Sequence, residues 1–294
     1  MKIRKLAAID IGSNAVRLLI NYVYEMPGSP PVFNKTSLVR MPIRLGEDVF
    51  TAKNISDKNV ERLCDAMKAF KLMMDIYGVE EYLAYATSAM REAENGKKAV
   101  KKIVQKTGVQ IEIIDGNREA ELIFATDLRA FVQDKNNYLY VDVGGGSTEL
   151  TLITQGKVYG SHSFSIGTVR LLEGKVGQST YPQMKEWIEK NVKPLGVDLI
   201  GSGGNINHVF KYSGVQLGKP LKGAYLRSRY RQIRDMSFDQ RLKELNMKPD
   251  RADVVEYALE IYTKVMKWSR AKQIFVPKIG ISDGMIRYLY ERVK

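Results

Sequence analysis

Asp10-Ile11-Gly12-Ser13-Asn14-Ala15-Val16-Arg17-Leu18-Leu19-Ile20 and Asp142-Val143-Gly144-Gly145-Gly146-Ser147-Thr148-Glu149-Leu150-Thr151-Leu152 are one pattern written twice in a single chain. They align without a gap: Asp10 falls on Asp142, Gly12 on Gly144, Val16 on Thr148 and Leu18 on Leu150. An apolar run precedes each copy, at residues 6–9 and 138–141, and another follows. The pattern predicts a β-hairpin with an acidic residue at the end of its first strand and a small, glycine-rich turn. Small residues let backbone N–H groups converge on an anion, because no Cβ blocks the approach. Two such hairpins predict two related halves that grip one phosphorylated ligand from opposite sides.

The duplication continues outward. Ile43-Arg44-Leu45-Gly46 follows the first hairpin as Ser165-Ile166-Gly167 follows the second, and both read as third strands ending in a glycine turn. Residues 83–89 and 199–204 read as buried strands that end in small residues ahead of a helix, a ready anion site in each half. That reading adds Thr87 and Ser88 to the phosphate-binding candidates. Val60, Leu63, Met67, Phe70 and Met74 share one face of a helix over 57–77, with Ser56 or Asp57 as N-cap and Gly78 as C-cap. Further helices are expected at 95–105, 118–131, 182–191 and 253–268, and after Ser282-Asp283-Gly284; further strands at 110–114 and 273–276. Each half thus reads β-β-β-α-β-α, an α/β domain duplicated around a cleft. Ligands in such sheets sit at strand ends and in the crevice. The expected division is a first domain over 1–125 and a second over 126–294, with the terminal helix 283–294 packing back on the first.

The 294 residues carry 46 Lys and Arg against 33 Asp and Glu, a formal charge of +13 that favours anionic partners. Lys219, Lys222, Arg227, Arg229, Arg231 and Arg234 fall in a window without an acidic residue, a candidate track for a long polyanion whose ordinary reading is a solvated loop and helix face. No apolar run reaches the roughly 18 residues of a membrane helix. The basic start lacks a signal-peptide core. The expectation is a soluble cytoplasmic protein without a membrane partner. No recognition helix or aromatic RNA-binding signature points to a specific nucleic acid. The lone Cys64 sits on the apolar side of its helix as a structural thiol, and His162 and His208 form no zinc pattern.

Several residues can carry chemistry. Backbone N–H groups of Gly144, Gly145 and Gly146, with the hydroxyls of Ser147 and Thr148, can cradle phosphate oxygens. Asp142 and Glu149 lie close enough on one hairpin to ligate Mg²⁺ through oxygen. The first hairpin supplies Asp10 as a third metal candidate, and Ser13, Asn14 and Arg17 for phosphate; the planar fork of Arg17 matches phosphate oxygens. Arg91 is a second arginine just beyond a strand end. Glu119, at the start of a helix, is a candidate general base, with Glu121 equally eligible on residue chemistry alone.

Taken together, residues 8–14, 44–47, 86–93, 95–96, 118–123, 142–150, 165–167, 201–204, 251–253 and 282–284 form an ordered set spanning nearly the whole chain. The set resembles the exopolyphosphatase / guanosine pentaphosphate phosphohydrolase (Ppx/GppA) family, in its short two-domain form. The resemblance implies duplicated actin-like (ribonuclease H-like) domains of the actin, sugar kinase and Hsp70 superfamily, with the active site in the interdomain cleft. It implies Mg²⁺-assisted hydrolysis of a terminal phosphoanhydride, with Mn²⁺ or a monovalent cation as further candidates. The implied substrate is inorganic polyphosphate, with guanosine pentaphosphate (pppGpp) as the alternative. The resemblance assigns the general base to Glu119, a phosphate contact to Arg91, and the metal and phosphate loop to Asp142 and the turn after it. A homodimer is implied in the same way. A kinase of the same superfamily and a non-catalytic polyphosphate or alarmone sensor are competing readings. Arg118 replaces the first glutamate of the family motif, Asp48 stands where glycine often follows Leu-Gly-Glu, and the ending reads Ser-Asp-Gly-Met-Ile-Arg-Tyr-Leu.

Overall fold

The computed structural model describes residues 1–126 and 136–294. They fall into two compact units, one of Met1–Thr126 with Gly280–Lys294, the other Asp127–Ile279, described from Asn136 onward. Residues 280–294 group with the first unit. Residues 127–131 of the helix expected over 118–131 lie outside the described residues.

In the first unit the chain runs β1 (Lys2–Ile11), β2 (Val16–Glu25), β3 (Val32–Met41), α1 (Leu45–Ala52), α2 (Asp57–Tyr77), β4 (Glu81–Ala86), α3 (Ser88–Glu92), α4 (Gly96–Thr107), β5 (Glu112–Ile113) and α5 (Gly116–Phe124). The sheet order is β3-β2-β1-β4-β5, antiparallel in the meander and parallel from β1 to β5. The second unit runs β6 (Asn137–Val143), β7 (Thr148–Thr154), β8 (Lys157–Phe164), α6 (Thr168–Leu172), α7 (Thr180–Asn191), β9 (Val197–Ser202), α8 (Gly204–Lys211), β10 (Leu221–Lys222), α9 (Gly223–Asp235), α10 (Phe238–Lys243), α11 (Pro249–Ala252), α12 (Val255–Ser269) and β11 (Gln273–Phe275). Its sheet repeats the first as β8-β7-β6-β9-β11, with β10 added outside β11. Asp10 pairs across from Arg17 and Asp142 from Glu149, so the sequence alignment is also a register alignment. This duplicated topology is the actin-like, ribonuclease H-like α/β fold.

The expected helix over 57–77 is present with its caps, Ser56 accepting from Asn59 N and Gly78 in the left-handed region. The third strands are displaced from expectation. They are β3 and β8, which end before residues 43–46 and 165–167. Those segments instead lead into α1 and α6: the N–H groups of Arg44 and Gly46 donate to the first turn, and those of Thr168, Val169 and Arg170, just after 165–167, donate to the second. Ser282-Asp283-Gly284 lies inside the first turn of the last helix, α13 (Ile281–Val293), rather than ahead of it. Asp283 accepts the Gly280 N–H at 3.0 Å and pairs with Lys35 at 2.7 Å, so it caps the helix from within.

Each unit has its own core. Leu6, Ala8, Leu19, Tyr85 and Leu122 pack with Met285, Ile286 and Leu289 of α13. In the second unit α12 lies against the sheet through Leu259, Tyr262 and Met266. The wholly buried Tyr262 hydroxyl donates to the carbonyls of Val141 and Ser202, tying the ends of β6 and β9 together. Burial drives its phenol well above the usual tyrosine range. Cys64 is buried on α2, and burial raises its thiol too. Among the described residues no helix is long and apolar enough to cross a membrane.

The α5–α13 contact tolerates no side chain at Gly284, where a Cβ would sit 1.7 Å from the Leu122 carbonyl oxygen. Gly284→Ala is expected to cost more than about 3 kcal/mol in urea unfolding. At Gly280, where a Cβ meets nothing within 4 Å, Ala is expected to cost less than about 1 kcal/mol. Equal losses at the two positions would refute the close contact.

Candidate active site

The two turns are built alike. Gly12 N–H donates to Ala15 O at 3.2 Å, and Gly144 N–H to Ser147 O at 3.0 Å. In the second unit every glycine carbonyl of the turn is engaged. Gly144 O accepts from Thr168 N, Gly145 O from Val169 N and Arg170 N, and Gly146 O from Arg170 Nε at 2.8 Å. Thr148 Oγ1 donates to Ile166 O at 2.6 Å. The N–H groups of Gly145, Gly146 and Ser147 have no protein acceptor among the described residues. Carbonyls held on one side and spare N–H groups on the other make an anion nest. The docking is tight enough that a Cβ on Gly167 would lie 2.5 Å from Gly145 and Gly146 backbone atoms. In the first unit α1 takes the corresponding position, with Gly46 N donating to Ser13 O and Arg44 N to Asn14 O.

Around the first turn, Ser13 Oγ and Ser88 Oγ are buried 2.9 Å apart, which joins the turn to the start of α3. Thr87 is buried beside them, its N–H donating to Ile11 O. Arg17 Nη1 reaches Asp10 Oδ2 at 2.6 Å. Asp10 is 3% exposed, so its charge is answered by arginine. The metal role expected of Asp10 and the phosphate role expected of Arg17 therefore compete for the same pair.

Arg91 and Glu119 come together. Arg91 Nη1 donates to Glu119 Oε1 at 3.1 Å and to Ile114 O at 2.6 Å. Glu119 is 8% exposed on the first turn of α5, where Asp115 caps by accepting from Arg118 N. Glu121 points to solvent and pairs with Arg118 at 2.8 Å. Burial and the arginine contact thus separate two glutamates that residue chemistry left equal. Arg118 also lies over the Tyr288 ring at 4.2 Å, and its bond to Glu121 raises its already high basicity. The departure from the family motif serves the α5–α13 packing. Asp48 likewise accepts from Ser56 and Asn59, binding α1 to the start of α2.

In the second unit Asp142 and Glu149 face each other across β6 and β7. Glu149 is buried and accepts from Ser163 Oγ at 3.0 Å. Two carboxylates fit Mg²⁺, which keeps water and phosphate oxygens in its shell and needs no all-protein cage. No cluster of three or more His, Cys, Asp or Glu side chains suited to a metal occurs among the described residues. Gly203 (φ 115°) brings the β9–α8 junction to Asp142, where a Cβ would stand 3.5 Å from Oδ1, and Gly204 lies beside the Arg251 guanidinium. The locking roles of Gly167, Thr168 and Arg170 were not read from sequence as site features; the tight glycine at 167 was the available signal. The histidines stand apart from these groups: His162 packs on Phe164 at 4.4 Å, and burial lowers the pKa of His208.

The basic window is not a single row. Arg227 and Arg231 stand one helical turn apart on α9, Arg229 bonds Gln232, and Arg234 pairs with Asp235. Lys219 and Lys222 are exposed in the segment that leads into the helix.

A family model described as the Ppx/GppA phosphatase family matches residues 30–292. The chain belongs to this family. It is 34% identical over 201 residues to a bifunctional 3-dehydroquinate synthase/phosphatase of Fusobacterium nucleatum, covering 64% of this chain and 30% of that protein. It is 25% identical over 204 residues to exopolyphosphatase 1 of Mycobacterium tuberculosis, covering 68% and 58% respectively. The chain thus spans between 30% and 58% of the length of these relatives. Among solved structures it superposes on an exopolyphosphatase from Cytophaga hutchinsonii with a TM-score of 0.82 at 24% identity, covering 99% of each chain. An Aquifex aeolicus Ppx/GppA family member gives 0.78 at 22%, covering 100% of this chain and 99% of the other. These likenesses establish the fold.

A double-mutant cycle on Asp10→Asn and Arg17→Gln is expected to give a coupling of roughly 1–2 kcal/mol in unfolding free energy. Additive losses would mean that the pair is not the partner that Asp10 relies on.

Proposed function

We propose that the chain hydrolyses the terminal phosphoanhydride of inorganic polyphosphate and releases orthophosphate. The observation that carries this reading is the buried Glu119 held against Arg91, a carboxylate and a guanidinium fixed together in a phosphatase-family chain. In this reading Glu119 accepts a proton from water, and the water oxygen bonds the terminal phosphorus. The bridging P–O bond breaks, and its electron pair stays on the new end of the shortened chain. Arg91 offsets the charge that builds on the phosphoryl oxygens, and the glycine turn of the second unit carries spare N–H groups suited to phosphate. Asp142 and Glu149 would hold Mg²⁺, which supplies further charge neutralisation at phosphate oxygens.

The formal charge of +13 supports a long anionic substrate. Hydrolysis of pppGpp is the second reading and uses the same catalytic residues. The sensor reading drew its support from Arg118, and that support weakens with the guanidinium committed to Glu121 and Tyr288.

Phosphate release from long polyphosphate and from pppGpp, each with Mg²⁺ and with chelator, tests the reading. Faster Mg²⁺-dependent release from polyphosphate is expected; preference for pppGpp moves the substrate to the second reading, and release from neither refutes hydrolysis. Glu119→Gln is expected to lower release by roughly 10²–10⁴-fold with polyphosphate binding retained. Glu121→Gln is expected to stay near wild type, and a reversed result would reassign the base.

A further inference from the structure

A cavity of about 630 Å³ lies between α9 and α12, lined by Arg227, Tyr230, Arg231, Thr263, Lys264 and Lys267. Residues 227, 230 and 231 form one stripe of α9, and 263, 264 and 267 one stripe of α12, because positions three and four apart share a helix face. Four cations thus border one groove. Lys264 is shared with Glu260 at 2.5 Å. Arg227, Arg231 and Lys267 have no ion-pair partner among the described residues. The neighbouring acids are already occupied: Glu260 also accepts from the Tyr181 hydroxyl at 2.9 Å, and Glu256 is held by the buried Arg241 at 2.7 Å. Like charges gathered around a cavity repel one another, and an anion between them removes that cost.

We propose that the α9–α12 groove is an anion-binding site that takes a chain of phosphate groups. The charged and hydroxyl groups facing the cavity are suited to this. Arginine forks match phosphate oxygens, lysine adds a point charge, and the Tyr230 hydroxyl can donate. A single-stranded nucleic acid would instead be held on a succession of aromatic stacking surfaces, and the groove has one ring, already covered on one side by Arg234 at 6.0 Å. The site shares no residue with the glycine turn, Glu119 or Arg91. It therefore holds the chain without acting in turnover, and it stands whether or not the hydrolysis reading does.

The test is direct binding of long-chain inorganic polyphosphate to the full chain, with single-stranded DNA as competitor. Arg227→Gln/Arg231→Gln/Lys267→Gln is compared with Lys97→Gln/Lys98→Gln/Lys101→Gln, which removes the same charge from exposed positions on α4. The groove variant is expected to raise the polyphosphate Kd by at least about tenfold, or about 1.4 kcal/mol, at an unchanged thermal midpoint. The α4 variant is expected to shift it by less than about threefold. No binding by wild type, equal losses in the two variants, an unaltered Kd in the groove variant, or DNA displacing polyphosphate at equal concentration would each overturn the proposal. Tight groove-dependent binding without any phosphate release would uphold it while removing the hydrolysis reading.

Discussion

The N–H and C=O of a peptide point in opposite directions, so a glycine turn whose carbonyls are held on one side turns N–H groups to the other, and this constraint orders much of each unit. In the second unit Gly144, Gly145 and Gly146 give their carbonyls to the start of α6 and to Arg170. That leaves neighbouring N–H groups on the turn for an anion. It also requires the helix to approach within backbone contact, which only glycine at 167 allows. The first unit solves the same problem with α1 and the Ser13 and Asn14 carbonyls. The segment after the third strand in each half is therefore a docking element, and the strand must end before it.

The buried charges follow a second rule: an ion taken out of water needs a partner in place. Asp10 has Arg17 and Glu119 has Arg91. The first pairing limits what its members can do for a ligand, since Arg17 already occupies Oδ2 of Asp10. The second fixes the carboxylate on α5 and gives the site its asymmetry relative to exposed Glu121. The two departures from the family pattern near these groups have packing explanations. Arg118 bridges α5 to the Tyr288 ring, and Asp48 collects donors from the start of α2.

Where local chemistry governed, reading from sequence was accurate. The helix over 57–77, its Ser56 and Gly78 caps and the hairpin register all depend on neighbours a few residues apart. Where a distant contact governed, it failed. Residues 43–46 look like a strand because Ile43 and Leu45 alternate with their neighbours, yet the Arg44 and Gly46 N–H groups are drawn to a turn some thirty residues earlier. Ser282-Asp283-Gly284 looks like a turn ahead of a helix, but Asp283 caps from within and Gly284 answers to the Leu122 backbone.

The sequence by itself determined the duplication, the hairpins with their glycine turns, the family and the net positive charge, because repetition and spacing are properties of the chain as written. Only the tertiary structure decided which glutamate is buried against an arginine, which acid is already spent on Arg17, and which arginines of the 219–234 window share a cavity with lysines of α12. These depend on which helix faces meet and how much water remains between them. Residues equivalent in chemistry become distinct only when packing assigns each its neighbours.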